Sequence, residues 1–192
     1  MNTASLIHDC CKQLKLGHLG KVYPQMQAES HEEFLLQVLR AEIRARQSAK
    51  IQRFIKKAGF SQHKSFEDYE PNGSVIYPET LSFEMLKDLT FMEKYENVMM
   101  LGAVGTGKTH LVKAAGLEAC KQGKYVRFFR VSDLVSILLE KHQTGTLQRF
   151  TRDLRKVDLL ILDELGFIPF HSIRTVLSYY LMSSRKAMKQ QA

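Results

Sequence analysis

The chain has 192 residues and a mass of 22.1 kDa, enough for one domain and a modest appendage but short of two ordinary domains. Apolar residues at 44% and charged residues at 25% exclude an intrinsically disordered chain, and no run comes near the roughly 20 uncharged apolar residues of a helical membrane span. Residues 1–20 lack the apolar run of a signal peptide, and Cys10, Cys11 and Cys120 offer neither a paired framework nor zinc-site spacing, so the chain reads as cytoplasmic and reduced, with no membrane partner.

The net charge of +8 is unevenly spread. Residues 1–60 carry 10 Lys/Arg against 5 Asp/Glu, residues 61–96 carry 3 against 8, residues 97–170 carry 11 against 7, and residues 171–192 carry 4 against none. The basic start suits a polyanion partner, and the acidic stretch reads as a linker between two units.

Residues 2–20 are expected to hold a short helix that ends near Gly17–Gly20. Residues 31–58 contain no Gly or Pro and predict one long helix, with Ser30 as N-cap, Glu33 three positions later as in a capping box, and Gly59 as the stop. Leu36, Leu39, Ile43, Ile51, Phe54 and Ile55 recur near helical spacing as an apolar stripe. Arg40, Arg44, Arg46, Lys50, Arg53, Lys56 and Lys57 cover much of the rest, opposed only by Glu42. Such a surface reads either as a solvated face or as one that meets phosphates.

Pro71, Asn72, Gly73 and Pro78 predict turns and extended pieces over 60–80, and residues 80–94 predict a further helix capped by Thr80 or Ser82. At Asn97 the pattern changes. Val98–Leu101 is a strand candidate, with Met99 and Met100 in the core. A Gly-rich turn and a helix from about Thr109 to Lys121 follow. Tyr125–Phe129 is a second strand, Ser132 or Asp133 caps a helix to about His142, Thr146–Lys156 is another helix, and Val157–Leu162 is a third strand apolar enough for burial on both faces. Strands alternating with helices imply a parallel sheet clad on both sides.

Gly102-Ala103-Val104-Gly105-Thr106-Gly107-Lys108-Thr109 matches GxxxxGK[ST] between an expected strand and an expected helix. Glycines let such a loop turn its N–H groups inward, and the helix that follows aims its positive end at an anion. Lys108 would reach the β- and γ-phosphates and the Thr109 hydroxyl would ligate Mg²⁺. The second motif is Leu159-Leu160-Ile161-Leu162-Asp163-Glu164. A carboxylate at the end of a buried strand calls for a cation, which makes Asp163 the metal-side carboxylate and Glu164 the residue that polarises water. The seven histidines show no metal spacing, and His110 is expected to face a neighbouring strand or helix.

From about Leu14 to Phe170 the sequence resembles the IstB-like ATP-binding proteins, insertion-sequence helper ATPases of the AAA+ class related to the DnaC-type helicase loaders. LKLGHLG (14–20), EFLLQVLRAEIRARQSAKIQRFIKKAGF (33–60), ENVMMLGAVGTGKTHL (96–111) and DLLILDELGFIP (158–169) carry the likeness. It implies an α/β P-loop NTPase (AAA+) with a three-layer parallel sheet, C-terminally truncated, behind an N-terminal helical region. The implied organisation is a basic DNA- and partner-binding region (1–60), an acidic linker and entry helix (61–96), a partial nucleotide-binding core (97–170) and a divergent tail (171–192). The resemblance further implies ATP and Mg²⁺ as cofactors, with Gly102 to Thr109 and His110 at the nucleotide, Thr109 and Asp163 at the metal and Glu164 catalytic. The implied partners are double-stranded DNA, a transposase and further copies of the chain.

After Phe170 the family pattern is expected to stop. Arg174–Ala192 can be written in codons that, read two nucleotides later, give NGAELLSHVIAESYETTS, the family's usual continuation, so a frameshifted and truncated copy is the expectation. By the same resemblance the sheet order is 5-1-4-3-2, which sets the strand after Phe170 between the phosphate-loop strand and the Asp163 strand. Ile173–Lys189 reads instead as a helix with a basic end. Without that strand and the arginines beyond it, hydrolysis is expected to be very weak or nil. Two alternatives stand beside the transposition helper: a helicase loader, and a DNA-binding remnant that works without nucleotide.

Overall fold

In the computed structural model, residues 2–70 and 75–165 are described. The turn at Pro71–Gly73, the helix expected over 173–189 and every expectation for the chain after Phe170 lie outside the described residues. The chain divides into two compact units that meet in sequence at Arg53 and Phe54.

In the first unit, α1 (Thr3–Gln13) starts where the Asn2 side chain accepts from the Ala4 N–H at 3.2 Å. A short α2 (Leu19–Val22) and a 3₁₀ turn (Tyr23–Gln25) follow. The long α3 (His31–Ala58) has the bounds that the sequence predicts. Ser30 Oγ accepts from the Glu33 N–H at 3.1 Å, while the Glu33 carboxylate accepts from the Glu29 N–H, also at 3.1 Å. This is a capping box displaced by one residue on its return side.

Glu42, the one acid on the basic stretch, is turned inward and is 3% exposed. Its carboxylate accepts from the His18 and Leu19 N–H groups at 2.9 and 2.7 Å and from Arg46 Nε at 2.8 Å. Arg46 also donates to the Lys15 carbonyl. One buried carboxylate thus satisfies the orphan donors at the start of α2 and ties the loop before it to α3. The expected apolar stripe divides: Ile55 is buried, whereas Leu36, Leu39 and Ile43 are exposed.

In the second unit the helix expected over 80–94 is two short helices, α4 (Phe83–Lys87) and α5 (Thr90–Glu93). Ser82 caps α4, accepting from the Met85 N–H at 3.1 Å. The break is Leu89, which is buried and takes a left-handed conformation with φ 61°. That conformation costs a leucine about 1–2 kcal/mol, against the gain from burying its side chain.

No strand forms over Val98–Leu101 among the described residues, which corrects the expectation. Met99 and Leu101 are exposed, so the Met99–Met100 pair is not core either. The reason is the absence of a neighbour: the described residues form one sheet of two strands, and neither lies beside 98–101. An apolar run becomes a strand only when another chain segment takes its hydrogen bonds.

The remaining elements are α6 (Lys108–Lys121), β1 (Val126–Arg130), α7 (Val131–Gln143), α8 (Leu147–Leu154) and β2 (Leu159–Asp163). The strands are parallel, in a register running from Val126↔Leu159 to Arg130↔Asp163. Both start one or two residues later than the sequence suggests, because Tyr125 and Asp158 close the sheet instead of extending it. The Tyr125 N–H donates to the Asp158 carboxylate at 2.7 Å and the Asp158 N–H donates to the Tyr125 carbonyl at 2.8 Å. Helix α7 starts directly at Val131, before the expected caps at Ser132 and Asp133.

On one face of the sheet α6 lies so close that a Cβ on Gly116 would stand 2.6 Å from Ile161 Cδ1 and 2.7 Å from Phe60 Cζ. Buried Lys113 of the same helix sets its ammonium 5.1 Å from the centre of the Phe128 ring. On the other face Phe129 and Leu134 are buried with Phe150, Leu154, Leu160 and Leu162 packed against them. Helix, sheet and helices make three layers, the α/β arrangement expected. Only Ile161 of β2 is buried, not both faces of the strand, since one of its edges has no strand beside it among the described residues.

Burial acts to raise the Glu42 carboxyl, but the Arg46 hydrogen bond and the Leu19 and His18 N–H donors outweigh it and hold the group below its ordinary value of 4.5. The stabilisation it contributes is therefore present above 4.5 and lost as pH falls through the lower folded value. Glu42→Gln is expected to destabilise the protein by about 1–3 kcal/mol at neutral pH. In thermal melts of both proteins that gap should close on acidification below 4.5.

Candidate nucleotide-binding site

The loop at 102–107 runs directly into α6, with Gly107 as its cap residue. Gly105 and Gly107 have φ of 84° and 86°, a region that favours glycine. Gly107 is doubly constrained, since a Cβ there would also come within 2.9 Å of Tyr69 Cε2. The Lys108 ammonium folds back over the loop, donating to the Gly102 carbonyl at 2.8 Å, the Ala103 carbonyl at 2.5 Å and Thr106 Oγ1 at 3.2 Å. Thr106 Oγ1 itself donates to the Ala103 carbonyl at 2.9 Å. Val104 projects outward, 90% exposed.

Across the site, Thr109 Oγ1 donates to Asp163 Oδ1 at 3.2 Å, joining residues 54 apart in sequence. The same Oδ1 accepts from the Glu164 N–H at 3.0 Å. Glu164 is left-handed, φ 61°, and its carboxylate lies 3.5 Å from Arg130 Nε. Because β1 and β2 are parallel, Arg130 and Asp163 end their strands side by side. The C-terminal edge of a parallel sheet, facing a helix N-terminus, is where α/β folds take ligands.

The hydroxyl and carboxylate of Thr109 and Asp163 are hard oxygen donors close enough to share one small cation, a set that fits Mg²⁺. Among the described residues no cluster of three or more His, Cys, Asp or Glu could hold a metal.

His110 faces neither a strand nor a helix, as the sequence suggested, but a loop. Its Nε2 is 2.8 Å from the Ser65 carbonyl, and its ring lies edge-on to Tyr69 at 5.4 Å. A tight turn shapes that loop: Ser65 Oγ donates to the Asp68 carboxylate at 2.7 Å and accepts from the Asp68 N–H at 3.3 Å. Ser65 holds the Asp68 carboxyl below its ordinary value. Tyr69 also stacks on Phe83 at 5.9 Å. Tyr69, Ser65 and Arg130 are site residues that the sequence reading does not name. The Ser-x-x-Asp turn signal followed by an aromatic residue points to the first two only weakly.

A glycine-rich loop opening a helix, beside an aspartate at the end of a parallel strand, defines the P-loop nucleotide-binding class. Comparison with known proteins narrows it. The model of the IstB-like ATP binding protein family matches residues 10–190, and the chain belongs to that family. The match continues past Phe170, where the sequence reading ends the resemblance.

The chain is 33% identical over 169 residues to a protein of insertion sequence IS5376 from Geobacillus stearothermophilus, named for ATP binding; 84% of this chain and 66% of that protein are covered. Its counterpart in IS21 of Pseudomonas aeruginosa is 31% identical over 179 residues, covering 90% and 67%. The chromosomal replication initiator DnaA of Aquifex aeolicus is 37% identical over 90 residues, covering 46% of this chain and 23% of DnaA. The chain thus spans about two thirds of the length of the insertion-sequence relatives it matches.

Gly107→Ala is expected to cost about 1–2 kcal/mol from backbone strain, with a further loss from the displaced Tyr69 ring. Thermal melting of Gly107→Ala, Tyr69→Ala and the double variant separates the two: in the Tyr69→Ala background the glycine change should cost the strain alone.

Proposed function

We propose that this chain binds ATP with Mg²⁺ at the 102–109 loop and serves as a helper of insertion-sequence transposition. In this reading it contacts double-stranded DNA, assembles with further copies of itself and regulates a transposase. The observation that carries the proposal is the 3.2 Å approach of Thr109 Oγ1 to Asp163 Oδ1 at the mouth of a loop that opens α6. The insertion-sequence relatives favour transposition over replication initiation, since they match 84–90% of the chain and the DnaA likeness matches 46%.

In this reading Lys108 leaves the Gly102 and Ala103 carbonyls and turns to the terminal phosphates, while loop N–H groups hold the phosphate oxygens. Thr109 and Asp163 would hold Mg²⁺, which supplies neutralising charge when bound. His110, fixed by the Ser65 carbonyl, positions the first turn of α6 beneath the loop. Glu164 orients water only after releasing Arg130. That pairing supports weak hydrolysis. The basic excess of residues 1–60 supplies the duplex contact.

Saturating Mg-ATP is expected to raise the melting temperature of the wild-type protein by about 5 °C or more. Lys108→Ala should abolish that rise, and Asp163→Asn should remove its dependence on magnesium. Equal ATP affinity in wild type and Lys108→Ala, measured by calorimetry, would overturn the nucleotide assignment.

A further inference from the structure

At the end of the sheet opposite the phosphate loop, the second unit carries a cleft of about 460 Å³ that the nucleotide reading leaves unused. Its walls are the C-terminal end of α3, the start of β1, and α8 with the residues after it. Three aromatic rings line it, those of Phe54, Tyr125 and Phe150. Phe54 and Tyr125 are 5.9 Å apart and tilted by 38°.

The charges in the cleft do not balance. Lys156 is paired with Asp153 at 2.9 Å, which accounts for the one acid in the lining. Lys57 and Arg127 also line the cleft, and neither has an ion pair with a described residue. Arg127 sits 4.8 Å from the Phe129 ring centre, and its buried Nε has no hydrogen-bond acceptor among the described residues. An unsatisfied buried donor costs about 1–3 kcal/mol, and a half-buried guanidinium without an anion is a standing demand for one.

Beyond the cleft the positive charge continues. Arg149 and Arg152 on α8, Arg155 after it and Lys56 on α3 are all exposed. A single carboxylate would be served by Arg127 and Lys57 alone. A track of cations leading away from an aromatic-lined cleft matches a polymer with a charge at every unit and a flat ring to insert. Aromatic faces combined with a basic groove bind unpaired nucleotides, each stacked base contributing about 1–3 kcal/mol.

We infer that this cleft binds single-stranded nucleic acid, taking one unstacked base among Phe54, Tyr125 and Phe150 and its neighbouring phosphates on Arg127, Lys57 and the α8 arginines. A duplex, whose bases are paired and stacked, cannot offer a ring to the cleft and would meet only its rim. The site is separate from the phosphate loop and needs no nucleotide there.

The test is fluorescence anisotropy of the full chain, without ATP, against a labelled oligothymidylate and a duplex of equal length. Arg127→Gln and Phe150→Ala are each expected to weaken single-strand binding about tenfold, with duplex binding changed less than about twofold. Lys57→Gln, on an exposed side chain that bears no packing load, should weaken the single strand about threefold and keep the test valid if Phe150→Ala fails to fold. Lys108→Ala should bind the strand as wild type does, which separates this site from the nucleotide reading. Wild-type single-strand affinity in both Arg127→Gln and Lys57→Gln would overturn the inference. So would equal losses for single strand and duplex in Arg127→Gln, a residue outside the basic region assigned to the duplex. Binding of an acidic, aromatic peptide by a protein that ignores the oligothymidylate would overturn it in favour of a peptide site.

Discussion

The second unit is organised by the parallel pairing of β1 and β2. That pairing fixes Arg130 beside Asp163, and α6, laid across the same strands by the close approach at Gly116, brings the Thr109 hydroxyl to the aspartate. A carboxylate at the end of a strand whose middle is buried is unfavourable without donors. Here one oxygen takes two, from Thr109 and from the Glu164 N–H. The second donor requires Glu164 to turn left-handed, a conformation of roughly 1–2 kcal/mol cost. Strain of this kind persists where surrounding contacts over-determine it. In this site the contacts are the Arg130 ion pair on one side and the Asp163 carboxylate on the other.

What could be read in the sequence and what could not divide by the range of the interaction responsible. The phosphate loop is legible because its conformation is local: glycine takes positive φ without steric cost, as Gly105 and Gly107 do here, and the helix follows directly in sequence. The bounds of α3 are legible for the same reason, being set by Ser30, Glu33 and Gly59. Val98–Leu101 reads as a strand because its composition is right, yet strand formation needs a neighbour, and composition carries no information on whether one is present. Leu89 is misread from the other direction. Nothing local favours a left-handed leucine, so only its burial explains the break between α4 and α5. Glu42 is invisible by ordinary rules, since a lone acid among seven basic residues reads as a surface counter-charge. Its partners, the His18 and Leu19 N–H groups, lie 24 and 23 residues away. The loop around Tyr69 is hidden likewise, its contact to His110 spanning from the Ser65 carbonyl 45 residues earlier.

The loop itself is held in a self-satisfied form. The Lys108 ammonium accepts nothing and must give its protons to oxygens; Gly102, Ala103 and Thr106 provide three. A triphosphate offers the same ammonium charged oxygens, and hydrogen bonds to charged partners are about twice as strong as those to neutral ones. In the proposed binding mode the exchange would favour the lysine, and it would free two loop carbonyls on exposed residues, where water takes the released bonds. Binding therefore needs no buried group to be left unpaired. Tyr69 packs against Gly107 and His110 on the other side of the loop.

The two ends of the small sheet are chemically opposite, and strand polarity accounts for it. Parallel strands send all their C-termini to one edge, where Asp163 and Glu164 gather acidic oxygens beside Arg130 and Thr109. The N-terminal edge receives whatever precedes each strand: Tyr125 before β1, and Arg155, Lys156, Val157 and Asp158 before β2, the Asp158 carboxylate being taken up by the Tyr125 N–H. An antiparallel pair would interleave these groups and cancel the difference. Here the acidic edge suits a metal-bound phosphate and the basic, aromatic edge suits a base with its backbone. The helices carry the separation further, α6 presenting its N-terminal N–H groups to the acidic edge while α8 brings Arg149 and Arg152 to the basic one. A shared two-strand spine thus keeps cation-seeking and anion-seeking chemistry apart within one unit, so that charge at one end does not neutralise charge at the other.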